Sequence, residues 1–167
     1  MATIFDVYGP FDVPYYQGAA GRTITDDNVG EFWESYGDFA KNKGCYVFGI
    51  KAGRGYTPAY VGKATKTFKQ EGFAAHKLAK YQQFLADYRK GTPILFLVIA
   101  PTKRGAPNLT HIKELEEFLI QVALAANPDL LNIKGTEMEE WGIAGVLRGG
   151  QGKPAKDAKE FKKIMKM

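Results

Sequence analysis

A carboxylate stands on the apolar side of the segment from Thr110 to Ala126, and no other residue of this chain so clearly requires a partner. Ile112, Leu115, Leu119, Val122 and Ala123 recur at helical spacing, and Glu116 falls among them, i+4 from Ile112 and i+3 before Leu119. Burying a carboxylate there is costly unless it meets a cation, a metal or a donor. Two partners suit it. One is a lysine or arginine at the edge of the core, giving an ion pair. The other is Mg²⁺, which often takes only one or two protein carboxylates and fills its remaining positions with water and phosphate oxygens. Tyr46, Tyr60 and Lys63 form a second group. A phenol titrates near about 10, so a tyrosine serves as a general base only beside positive charge such as Lys63 or a metal-bound water; otherwise it is an ordinary strand residue. Lys63 is either a solvated lysine or a hold on a phosphate.

The elements that must position these groups are set by periodicity and punctuation. Over Gly44 to Ile50, alternation places Cys45, Val47 and Gly49 on one face and Tyr46, Phe48 and Ile50 on the other. Ala52 to Pro58 contains Gly53, Gly55 and a proline and reads as a loop. Ala59-Tyr60-Val61 then resumes as a second strand stopped by Gly62, which makes a long-looped antiparallel hairpin with Lys63 directly after it. Ahead of the hairpin, Val29, Phe32, Trp33, Tyr36, Phe39 and Ala40 predict an aromatic-faced helix from Asp26 to Lys41, with Asn28 and Glu31 spaced as a capping box. Behind it, Thr65 to Arg89 reads as helix with a break near Gly72; Phe68, Leu78, Tyr81, Phe84, Leu85 and Tyr88 mark its buried side, and Lys69, Lys77 and Lys80 supply cations.

Ile94 to Ile99 is an unbroken apolar run that suits a central strand. Thr110 is the expected N-cap of the Glu116 helix, and Asn127-Pro128 ends it. Pro10 and Pro14 make the first twenty-two residues irregular or edge-strand structure. At the other end come a strand-like Trp141 to Val146, a glycine-rich turn at Gly149 to Gly152, and a lysine-rich helical tail from Ala155. The reading is one domain over 1–167, with a core at 43–135, an N-terminal extension at 1–42 and a C-terminal one at 136–167.

The hairpin, with Gly-Cys-Tyr at 44–46 and Tyr-Val-Gly at 60–62, resembles the GIY-YIG endonucleases. The elements after the hairpin come in a similar order too: helices, a third strand, a helix with a lone glutamate in Glu116-Glu117-Phe118-Leu119-Ile120, then an asparagine. The resemblance covers roughly Lys43 to Gly135. It implies an α/β fold with a small, mainly antiparallel three-stranded sheet flanked by helices, and metal-dependent hydrolysis of phosphodiester bonds. By the same resemblance Tyr46 and Tyr60 are catalytic, Glu116 binds Mg²⁺ or Mn²⁺, and Asn132 orders the site through its amide. The family usually carries an arginine about two helical turns past the second glycine, and here that neighbourhood is Lys69-Gln70-Glu71. Lys69 or Lys77 can replace its charge but not its bidentate fork. His76 is a further candidate for proton transfer.

Lysine and arginine exceed aspartate and glutamate, giving a net charge of +5, which suits an anionic partner such as nucleic acid, DNA first. Arg22, Arg54, Lys63, Lys69 and Lys77 are the candidate phosphate contacts. Cys45 is the single cysteine, so an internal disulfide and a cysteine-based zinc site are excluded, which together with the lack of an apolar leader or spanning run points to the cytoplasm. A protein partner or the terminal extensions would choose the target. The contrasting expectation is a non-catalytic nucleic-acid or protein-binding module that keeps the fold without the arginine.

Overall fold

The structure, a computed structural model, describes residues 2–103, 105–132, 143–146 and 155–166. The chain divides into two compact units, Met1–Gly135 and Thr136–Met167.

The first unit is built on a mixed α/β plan. Strands β1 (Asp6–Asp12), β4 (Gly44–Ala52), β5 (Gly55–Ala64) and β6 (Thr92–Ile99) form an antiparallel sheet in the order β1-β6-β4-β5, and β2 (Tyr16–Gly18) and β3 (Gly21–Thr23) make a separate two-stranded ribbon. The sheet therefore has four strands where three were expected. The added strand is the proline-containing N-terminal segment. Its ladder shifts register between Tyr8 and Phe11, which places Pro10 in an irregularity on an edge strand, where a missing backbone donor is tolerated.

Both faces of the sheet are covered, as the alternation in β4 requires. Tyr46, Phe48 and Ile50 join Phe32, Phe68, Tyr81 and Phe84 in one cluster, beneath α1 (Asp26–Ser35), α2 (Phe68–Glu71) and α3 (Ala75–Asp87). Cys45, Val47, Val61 and Val98 meet Ile112, Ile120 and Leu124 of α4 (Leu109–Ala126) on the other. Aromatic contacts tie the first layer together, among them Phe48 stacked on Tyr81 at 4.0 Å and Phe32 edge-on to Phe73 at 5.1 Å.

Several boundaries differ from the sequence reading for local reasons. The β4–β5 connection is the tight turn Gly53-Arg54 between the paired residues Ala52 and Gly55, so most of the expected loop is strand, and Gly62 and Lys63 lie inside β5. The α1 capping box begins at Thr25, whose hydroxyl accepts from the Asn28 N–H while the Asn28 side chain accepts from the Thr25 N–H. That helix ends at Ser35, and Gly37–Phe39 continues as a single 3₁₀ turn. Asn108, not Thr110, caps α4. Val122 is exposed rather than inward, and Ile120 takes the buried position.

In the second unit α5 (Lys156–Met165) carries its lysines opposite exposed Phe161, Ile164 and Met165. The described part of the expected 141–146 strand is a turn closed by Val146 N–H donating to the Ile143 carbonyl; Trp141, Gly142 and the Gly149–Gly152 turn lie outside the described residues. No helix among the described residues is long and apolar enough to cross a membrane.

Candidate active site

The two glycines of the hairpin motif are there to let other atoms in. Gly44 has φ +151°, and a Cβ on it would run into the Val98 carbonyl of β6. Gly62 pairs with Tyr46 across the ladder, and a Cβ on it would run into the tyrosine ring. The missing side chain thus lets Tyr46 lie flat over β5, with its ring centroid 6.4 Å from that of Tyr60.

Residues of α2 and α3 pack around these rings, and the Glu116–Lys63 pair stands on the other face of β5. Lys77, in the first turn of α3, is buried. Its amine lies 4.9 Å from the centre of the Tyr46 ring and donates to the Glu71 carbonyl at 2.7 Å. The Tyr46 hydroxyl reaches the same carbonyl at 3.4 Å, and Tyr81 donates to the Gly72 carbonyl at 2.8 Å. From the other layer Glu116 pairs with the ammonium of Lys63, which lies across from Cys45 in the register and so on the α4 side of β5. The Glu116 side chain is 15% exposed and that of Lys63 36%.

The charges report on one another. Burial raises the Tyr46 and Tyr60 phenols, and the Glu116 carboxylate adds to both shifts. Burial lowers the Lys77 ammonium, against the pull of Glu71 and Glu116. Burial pushes the Cys45 thiol up to about 12, with Glu116 adding and Lys63 opposing, so Cys45 is a packed strand residue donating to the Ile112 carbonyl rather than a nucleophile. The tyrosines are thus held as neutral phenols. Burial is the largest cause for both rings, and it works against the general-base role that Lys63 or a metal-bound water would have to support.

This has a measurable consequence. Below their ordinary value of 10.0 the phenols are protonated in both folded and unfolded chains. Above it the unfolded chain loses protons that the folded chain keeps on Tyr46 and Tyr81. Stability therefore falls as pH rises past 10, by about 1.4 kcal/mol per pH unit for each of these two fully buried rings. Of the nine tyrosines, Tyr46 and Tyr81 should gain phenolate absorbance only together with loss of the folded circular-dichroism signal. Full ionisation of all nine with the fold intact would contradict the burial.

The remaining candidates lie elsewhere. Asn132 does not reach into the cluster: its amide accepts from the Val61 N–H at 2.9 Å and donates to the Val61 carbonyl at 2.7 Å. It belongs to a clamp along the outer edge of β5, with Asn127 donating to the Pro58 carbonyl at 2.7 Å and the Leu131 N–H to the Ala59 carbonyl at 2.8 Å. An edge strand presents unpaired backbone groups, and this segment satisfies them. Asn132 thereby fixes the strand between Tyr60 and Lys63. Lys69 and His76 are exposed on α2 and α3, and no hydrogen bond joins either to the cluster among the described residues. Arg22, an expected phosphate contact, is buried and donates to the Gly91 and Tyr88 carbonyls. Arg54 is at the hairpin tip, roughly 25–30 Å of strand from Lys63.

Residues not expected at the site are Tyr81 and Lys80. Tyr81 meets the Tyr60 ring edge-on at 5.9 Å, while Lys80 donates to the Leu131 carbonyl and lies 5.7 Å from the centre of the Tyr60 ring. A signal existed: Lys77 is i+4 before Tyr81 and shares its buried stripe, which sets it apart from Lys69. Compared with known proteins, the chain matches no family model, no curated protein and no solved structure.

Proposed function

We propose that this chain hydrolyses phosphodiester bonds in nucleic acid, DNA first, at the cluster of Tyr46, Tyr60, Lys63, Lys77 and Glu116. The observation that carries the reading is that the Lys63–Glu116 pair on the α4 face of β5 and the Lys77–Tyr46–Tyr60 group on its other face flank one edge strand, with the Glu116 charge felt by both phenols and by Lys77. Phosphoryl transfer asks for that inventory: cations for the equatorial oxygens, donors that orient a water, and a carboxylate for a metal ion. Lys77 is the residue that takes the place of the family arginine, since its amine is held at the ring of Tyr46. Tyr60, the partly exposed ring of the two, acts as the hydrogen-bond donor that orients water and phosphate, and the buried Tyr46 ring holds Lys77 in place. The net charge of +5 supports an anionic substrate.

Mg²⁺ or Mn²⁺ suits the donor set as a single-carboxylate site. Among the described residues no group of three or more His, Cys, Asp or Glu side chains converges, so Glu116 would hold the ion alone, with water and phosphate oxygens completing its shell. Bound there, the ion would supply charge stabilisation at the phosphate and its leaving oxygen. Lys63, released from Glu116, would pair with the phosphate.

Nicking of supercoiled plasmid by the purified protein tests the reading. The expected result is Mg²⁺-dependent conversion to open-circular DNA that a chelator stops. The Lys63–Glu116 pair and the missing arginine favour a second reading, a binding module that retains the fold. DNA binding without nicking in Mg²⁺ or Mn²⁺ would establish that one instead.

A further inference from the structure

We infer that Lys63 sets how this site takes up a divalent cation: in the free protein its ammonium holds the place beside Glu116, and metal and nucleic-acid phosphate enter by exchange, the phosphate receiving Lys63 as the ion receives Glu116. The inference rests on the reading of Glu116 as a metal-bearing carboxylate.

Three observations carry it. Glu116 is mostly buried, so without a ligand its charge needs a partner, and Lys63 is the cation bonded to it among the described residues. The other cation of the cluster is not free to serve, because the Lys77 amine is held by the Glu71 carbonyl and the Tyr46 ring. Lys63 itself is more than a third exposed and stands on the edge strand β5, so its four-carbon stem can turn to solvent or to a ligand without disturbing a backbone hydrogen bond. Lys63 therefore does two things. It keeps Glu116 neutralised when the site is idle, and it competes with the metal. A phosphate relieves the competition by offering Lys63 a second partner, and by linkage the metal then favours phosphate binding to the same extent. The lysine makes the ion and the nucleic acid arrive as a unit.

The test is Mn²⁺ binding by the full chain without nucleic acid, followed by electron paramagnetic resonance, in the parent, Lys63→Met, Glu116→Gln and the double variant. Lys63→Met should bind Mn²⁺ more tightly than the parent by up to about fivefold, the ratio that corresponds to the upper end of what a part-exposed ion pair contributes. The gain should vanish in the double variant. Mn²⁺ should also raise the melting temperature of Lys63→Met more than that of the parent. Lys63→Gln, which keeps a polar head, should behave in the same direction and serves if the methionine variant is poorly folded. Equal affinity in parent and Lys63 variants, with binding lost in Glu116→Gln, overturns the exchange and leaves the metal assignment standing. Mn²⁺ binding that ignores Glu116 in every variant overturns the metal assignment itself.

Discussion

Glu116→Gln is expected to lower Mg²⁺-dependent nicking by at least about a hundredfold while the protein melts within about 4 °C of the parent. The first number is the scale of losing a principal electrostatic stabiliser of the transition state. The second comes from the exposure of Lys63. A fully buried pair, broken on one side, strands a charge and costs about 3–5 kcal/mol. Here the stranded partner is Lys63, 36% exposed on an edge strand, and it can turn to water. The pair is then closer to a surface bridge, worth about 1 kcal/mol or less, and in a chain of this size that moves the midpoint by about 2–4 °C. Gln keeps the shape of the side chain and its hydrogen-bonding capacity at the same place. An early-melting variant whose folded fraction still nicks plasmid would remove Glu116 from the reaction, and an unchanged nicking rate would do so outright.

What the sequence disclosed and what it hid divide along the line between local and tertiary information. The β4–β5 pairing was legible because a period of two needs only neighbours: Tyr46, Phe48 and Ile50 do face one layer, and Cys45 and Val47 the other. The break near Gly72 and the buried stripe Tyr81, Phe84, Leu85 were legible for the same reason. The fourth strand was not, since Pro10 argues against a strand until an edge position and a bulge are known. At Glu116 the sequence correctly demanded a partner and left two open; Lys63 answers as an ion pair, across 53 residues of chain. The Asn127–Asn132 clamp was invisible, because an asparagine after a helix looks like any turn former until the strand edge it covers is known. For the tyrosines a nearby lysine was legible, but the burial that raises both phenols was not, because it comes from the layer of α-helices packed over them.

Lys77→Met is expected to lower nicking by about 10²–10³, whereas Lys69→Met leaves it at the parental rate. In sequence the two lysines are equivalent candidates for the absent arginine. In the fold Lys69 points to solvent from the four-residue α2, and Lys77 enters the layer between α3 and the sheet. Holding an ammonium there opposes its solvation, as the lowered Lys77 value reflects, and the Glu71 carbonyl and the Tyr46 ring offset that cost. A buried cation that only served packing would be replaced by methionine at no loss, because the stem is isosteric and the desolvation disappears. Stability of Lys77→Met should accordingly be equal to or above that of the parent, while the phosphate loses a cation pre-positioned in a water-poor setting, where it acts most strongly. Lys77→Arg should keep a substantial part of the rate, since charge is the property under test, with some loss from fitting a larger fork under Tyr46. Full activity in Lys77→Met would assign the buried ammonium to structure alone and transfer phosphate neutralisation to Lys63, and a loss in Lys69→Met equal to that in Lys77→Met would place the phosphate path over α2 instead.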